Sequence, residues 1–102
     1  MKLAVTIPTV HASFPHHFPI RTLVPGYLLL ELMASSLATA GIHLTAIKEV
    51  KFIAPVFPGE DAELHLGPEV AGRSQRQITL FVAEEVRVRG RVSVVHDESG
   101  HL

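Results

Sequence analysis

Residues 25–41, PGYLLLELMASSLATAG, decide the fold. Proline is favoured in the first turn of a helix, where its missing amide costs no hydrogen bond. The Leu, Met, Ala and Glu that follow are strong helix formers. Gly41 stands where a glycine closes a helix. The pattern predicts one helix of roughly four turns. Apolar residues lie at nearly every angle around it, so it is expected to be covered on most sides.

Past Gly41 the period changes from helical to alternating. Residues 42–53 (IHLTAIKEVKFI), 61–70 (DAELHLGPEV), 74–83 (SQRQITLFVA) and 86–96 (VRVRGRVSVVH) are rich in β-branched residues and read as strands. Ala54-Pro55 and Pro58-Gly59 separate the first two, and Glu84-Glu85 is the expected hairpin turn between the last two. Ahead of the helix, residues 3–7 (LAVTI) read as a short strand. Residues 8–25 hold four of the seven prolines and three histidines, and read as a long ordered loop. One helix and a run of antiparallel strands give a single α+β domain over residues 1–102, with the sheet wrapped round the helix.

Composition narrows the function. The formal net charge is -1, which supplies no basic field for nucleic acid. The apolar fraction of 47% is high for 102 residues, and some of that surface is expected to meet a partner subunit or an apolar ligand. There are no cysteines, which removes disulfides and thiolate chemistry. The first ten residues, MKLAVTIPTV, are interrupted by Pro8 and do not read as a signal peptide. The apolar stretch from Tyr27 to Leu44 carries Glu31, a poor fit to a membrane span, so a cytoplasmic protein is the expectation.

Glu31 is the only Asp, Glu, Lys or Arg between Arg21 and Lys48. Among so many apolar neighbours a carboxylate carries a desolvation cost that favours its protonated form, the form a general acid needs. Ser35, one turn on, is the nearby helix hydroxyl able to orient it. The plainer alternative is a glutamate near the helix start that faces solvent. His17 lies between aromatic and proline residues, a setting more often structural than catalytic. His11, His16 and His17 match no metal-ligand spacing and have no carboxylate among them, so neither a metal nor another cofactor is expected.

The segment FPHHFPIRTLVPGYLLLELMA, Phe14 to Ala34, resembles the signature of the FabA/FabZ-type 3-hydroxyacyl-acyl-carrier-protein dehydratases, whose loop G-H-F-P-G-x-P leads into P-G-x-x-x-x-E-A-M-A. VKFIAPVFPGED, Val50 to Asp61, resembles the later A-R-F-x-x-P-V-x-P-G-D of the same family. The resemblance implies a hotdog fold. It implies dehydration of carrier-protein-bound 3-hydroxyacyl thioesters, with His17 as the base at the carbon next to the carbonyl and Glu31 as the acid on the leaving hydroxyl. The amides of Gly26 and Tyr27 would polarise the carbonyl. Phe18, Ser35 and Arg21 would contact the substrate or its carrier protein. It also implies a dimer, or a higher oligomer built from dimers, in which the histidine and glutamate of one site come from different chains. The partner would be a second copy or a related dehydratase.

His16, Ile20 and Thr22 depart from the family's Gly, Gly and Pro, and Ser35 replaces a common glutamine. The short N-terminal part is more like the compact dehydratases of aryl-polyene and related pigment clusters. Two rival readings are a hotdog thioesterase, which would not need His17, and a non-catalytic partner subunit. Arg87, Arg89 and Arg91 alternate on one strand, either a solvated face or a surface for an acidic carrier protein. Phe18, Phe52, Phe57 and Leu28 to Leu30 read as plain core or as the lining of an acyl tunnel.

Overall fold

The computed structural model describes residues 1–9, 23–69 and 75–97. Its elements run β1 (Lys2–Thr6), α1 (Gly26–Thr39), β2 (Ile42–Phe52), β3 (Asp61–Glu69), β4 (Gln75–Val82) and β5 (Glu85–His96). They match the sequence expectation to within a residue or two at each end. The strands form one antiparallel sheet in the order β1-β3-β4-β5-β2.

Alternation places the core. Ala62, Leu64 and Leu66 of β3, Ile78, Leu80 and Val82 of β4, and Val88, Val92 and Val94 of β5 face inward and are buried. They meet Leu28, Leu29, Met33 and Leu37 of α1, which repeat at helical spacing. Leu37, Leu64, Leu80 and Val88 are completely enclosed. Burying each such side chain contributes roughly 1.5–3 kcal/mol relative to leaving it exposed.

The helix is covered on one side only. Tyr27, Glu31, Ser35, Ala38 and Thr39 are exposed. The apolar run predicts wider cover, but a single sheet reaches only the side carrying Leu28, Leu29, Met33 and Leu37.

Four irregularities bend the sheet: one lies between β3 and β4, where Leu66 pairs with Ile78 but Glu69 with Arg76, and three lie along β5. Thr45 and Lys48 of β2 have no partner in the ladder with β5. Arg87 has none in the ladder with β4, because Leu80 pairs with Val88 and Phe81 with Val86. An extra residue on one strand kinks it and raises the local twist. The hairpin turn is also one residue earlier than expected. Val82 pairs with Glu85, leaving Ala83 and Glu84 as the turn, at φ 50° and 66°. Two successive positive φ values match the twist of the flanking strands and favour glycine or asparagine; this turn carries neither, so the sequence does not announce it.

Candidate active site

Helix α1 begins without a lid on its first amides. Pro25 makes no side-chain cap, and the first turn holds no acidic residue. Pro25 O accepts both Leu28 N and Leu29 N at 3.1 Å. Among the described residues the amides of Gly26 and Tyr27 have no partner. Unpaired amides at the positive end of a helix favour developing negative charge.

Glu31 follows Tyr27 by one turn on the same exposed side. It is the single charged residue of α1. Its exposure corrects the expectation of a carboxylate desolvated by its own chain: the apolar neighbours Leu28, Leu29 and Met33 point into the sheet, away from it. Ser35 stands one turn further on. Its carbonyl accepts the Thr39 hydroxyl at 3.0 Å, and among the described residues its own hydroxyl makes no bond to Glu31.

His17, Phe18 and Arg21 lie outside the described residues, as do His11 and His16. Described residues on either side of them bond to the 56–59 stretch. Gly59 N donates to Ile7 O at 3.1 Å, and Val24 N donates to Val56 O at 2.8 Å. Both borders are thus tied to the turn around Pro58-Gly59.

Beside the helix start lies an apolar cavity of about 460 Å³, lined by Leu23, Val24, Gly26, Leu29 and the stretch from Phe52 to Val56. Phe52 is half exposed, and its ring rests on Gly26 so closely that a Cβ there would come within 2.8 Å of Cζ. Of the residues proposed as tunnel lining, Leu29 and Phe52 border this cavity, while Leu28 is core. A larger groove of about 530 Å³, lined by Lys2, Asp61, Glu63, His65 and Phe81 among others, lies on the outer face of the sheet, away from α1.

The arginine stripe is broken. Arg89 and Arg91 are exposed, with Arg91 Nη2 3.8 Å from a Glu49 oxygen, but the Arg87 side chain is only 13% exposed. It donates to Pro55 O and approaches Glu60 Oε1 at 3.4 Å. The sequence carries no local sign of this, because the bulge that redirects Arg87 depends on the register of β4 against β5.

The ApeI-like family model, described as ApeI dehydratase, matches residues 1–91. The 3-hydroxyacyl-[acyl-carrier-protein] dehydratase FabZ of Gluconacetobacter diazotrophicus is 36% identical over 93 residues, covering 76% of this chain and 56% of that protein. The chain therefore spans a little over half the length of that relative. An uncharacterized protein from Erwinia carotovora subsp. atroseptica superposes with a TM-score of 0.70 at 21% identity, over 93% of this chain and 82% of the other. A chain of the dehydratase heterocomplex ApeI:P from Xenorhabdus doucetiae gives 0.67 at 18% identity, over 93% and 86%. These two structures establish the hotdog architecture. Among the described residues no helix is long and apolar enough to cross a membrane.

Proposed function

The chain belongs to the ApeI-like dehydratase family, and from that premise we propose that it removes water from 3-hydroxyacyl thioesters carried by acyl carrier protein, giving trans-2-enoyl thioesters. His17 takes the proton from the carbon next to the carbonyl. Charge then moves onto the carbonyl oxygen, where the amides of Gly26 and Tyr27 stabilise it. Glu31 gives its proton to the departing hydroxyl, and the carbon–oxygen bond breaks. The reaction calls on no metal and no cofactor. Phe18, Ser35 and Arg21 serve as contacts to the acyl chain and carrier.

The observation that carries this reading is the position of Glu31, a lone carboxylate on the exposed side of an otherwise apolar helix, one turn from the Tyr27 amide, which has no partner among the described residues. A carboxylate there needs cover to act as an acid. A partner chain supplies it in the dimer proposed for this protein. Leu23, Tyr27, Ile47, Phe52 and Ile53 are large apolar side chains left exposed by the single chain, as such an interface requires. A cytoplasmic location follows from a carrier-protein substrate. The acyl group is a fatty, aryl or polyene chain.

The test is direct. Incubation with a 3-hydroxyacyl carrier-protein thioester, and separately with the enoyl thioester, should show loss and gain of water. Thioester cleavage instead would favour the thioesterase reading. No turnover alone, with turnover on adding a second dehydratase subunit, would favour a partner role, the arrangement named for the heterocomplex from Xenorhabdus doucetiae.

A further inference from the structure

Arg87 is the most enclosed arginine among the ion pairs of the described residues, and the proposed chemistry makes no use of it. Its bulged position frees it from β4 and turns both its main chain and its side chain toward the segment after β2. Arg87 O accepts Ile53 N at 2.8 Å and Ala54 N at 3.2 Å. Nη1 donates to Pro55 O. The same Nη1 lies 3.4 Å from Glu60 Oε1, and that oxygen accepts Phe57 N at 2.7 Å. Nε sits 3.1 Å from Glu85 Oε1 without the alignment of a hydrogen bond.

Three successive residues, Ile53, Ala54 and Pro55, are thus held by one arginine, and Glu60 closes the turn that follows. The start of α1 rests on this segment at two points. Val56 O, next to the carbonyl that Arg87 holds, accepts Val24 N. The Phe52 ring, next to the amide that Arg87 O holds, lies on Gly26.

We propose that Arg87 and Glu60 are a positioning pair that sets the amides of Gly26 and Tyr27 at the carbonyl-binding point, an inference that rests on the role given to those amides above. Neither residue touches substrate. A planar guanidinium held by two acceptors fixes direction as well as distance, which a lysine cannot do with one compact charge. Contacts that strengthen as charge develops act on the chemical step more than on binding.

The experiment compares Arg87→Met, Arg87→Lys, Glu60→Gln and the exposed control Lys2→Met in the full chain. It measures kcat and KM on a 3-hydroxyoctanoyl carrier-protein thioester, together with the amide NMR resonances of Val24, Gly26 and Tyr27. Arg87→Met should lower kcat roughly ten- to a hundredfold with KM held within about twofold, since small misplacements of a site act mainly on the reacting geometry. The three amide resonances should move with it. Arg87→Lys should recover part of the loss, Glu60→Gln should move the same resonances by less, and Lys2→Met should leave everything in place. Should Arg87→Met fail to fold, Glu60→Gln, which keeps an acceptor for Phe57 N, carries the same test.

Unmoved amides, or a fall in kcat that only tracks the unfolded fraction, would overturn the proposal. A wild-type protein without dehydratase activity rejects the functional reading alone, because the amide resonances still report whether the pair positions the helix start.

Discussion

Gly26 lies beneath the ring of Phe52, whereas Gly90 lies against the backbone of β2. A Cβ at position 26 would meet Phe52 Cζ at 2.8 Å, and one at position 90 would meet Glu49 O at 2.5 Å and Val50 Cα at 3.3 Å. The Phe52 contact is the far end of a side chain and can yield by a small tilt, but the Glu49 carbonyl belongs to the β2–β5 ladder. Gly26→Ala should therefore lower stability by about 1 kcal/mol or less, and Gly90→Ala by about 1–3 kcal/mol or more. Urea denaturation of both variants measures the difference. Equal losses would show that the Phe52 ring is as fixed as the strand.

The two proposed proton-transfer groups give a second prediction. His17→Ala and Glu31→Ala should each reduce dehydration by on the order of a hundred- to ten-thousandfold. Glu31 is exposed on its own chain and lies outside the core, so its removal should leave the chain folded. Turnover close to wild type in either variant would refute the assignment. So would an activity loss explained by unfolding.

Sharing of the site between chains can be read without a structure of the dimer. Mixing inactive His17→Ala with inactive Glu31→Gln subunits should restore activity, because mixed dimers hold one site with both wild-type groups. With random assortment roughly a quarter of all sites are intact, provided each group acts only in its own site. Continued inactivity, with subunit exchange confirmed by mass spectrometry, would place both groups of a site on one chain.

A fourth prediction concerns pH. The His65 imidazole, bonded to Glu63 at 2.6 Å, holds the Glu63 carboxyl below its usual 4.5, aided by electrostatic attraction to His65 and Lys2 and opposed by desolvation. Because the folded value is the lower one, the contribution to stability is present above the unfolded value of 4.5 and is lost as pH falls through the folded value. The advantage of wild type over Glu63→Gln in denaturation should therefore be visible at neutral pH and shrink in acid. An advantage that grows in acid would reverse the sign. Glu63 is exposed, so the Coulombic part should also weaken with added salt.

The helix and the strands were legible because their signals are local. Pro25-Gly26, the Leu-rich run and Gly41 mark α1, and the alternation of Val86, Val88, Val92 and Val94 with Arg87, Arg89, Arg91 and Ser93 marks β5, although the structure encloses Arg87. Features set by cross-strand register were not. Thr45, Lys48 and Arg87 look like ordinary strand residues until the neighbouring strand fixes which of them is left over. The Ala83-Glu84 turn was displaced by one residue for the same reason: two-residue turns usually carry glycine or asparagine, and this one does not. Gly26, Tyr27, Glu31 and Ser35 were placed at or near the helix start from sequence, but the exposure of Glu31 was hidden by apolar residues at every helical angle.

The two unpaired residues of β2 bear on how the protein keeps itself from sticking together. β2 is an edge strand, and its eleven residues include Thr45 and Lys48 outside the ladder, with Lys51 further along. A flat edge offers its free amides and carbonyls to any extended chain, which invites fibre growth. An edge kinked twice, with lysines at and near the kinks, accepts only a strand bent to match. The bulges that wrap the sheet round the helix therefore also restrict β2 to partners of the right curvature, and leave disordered aggregates without a straight template.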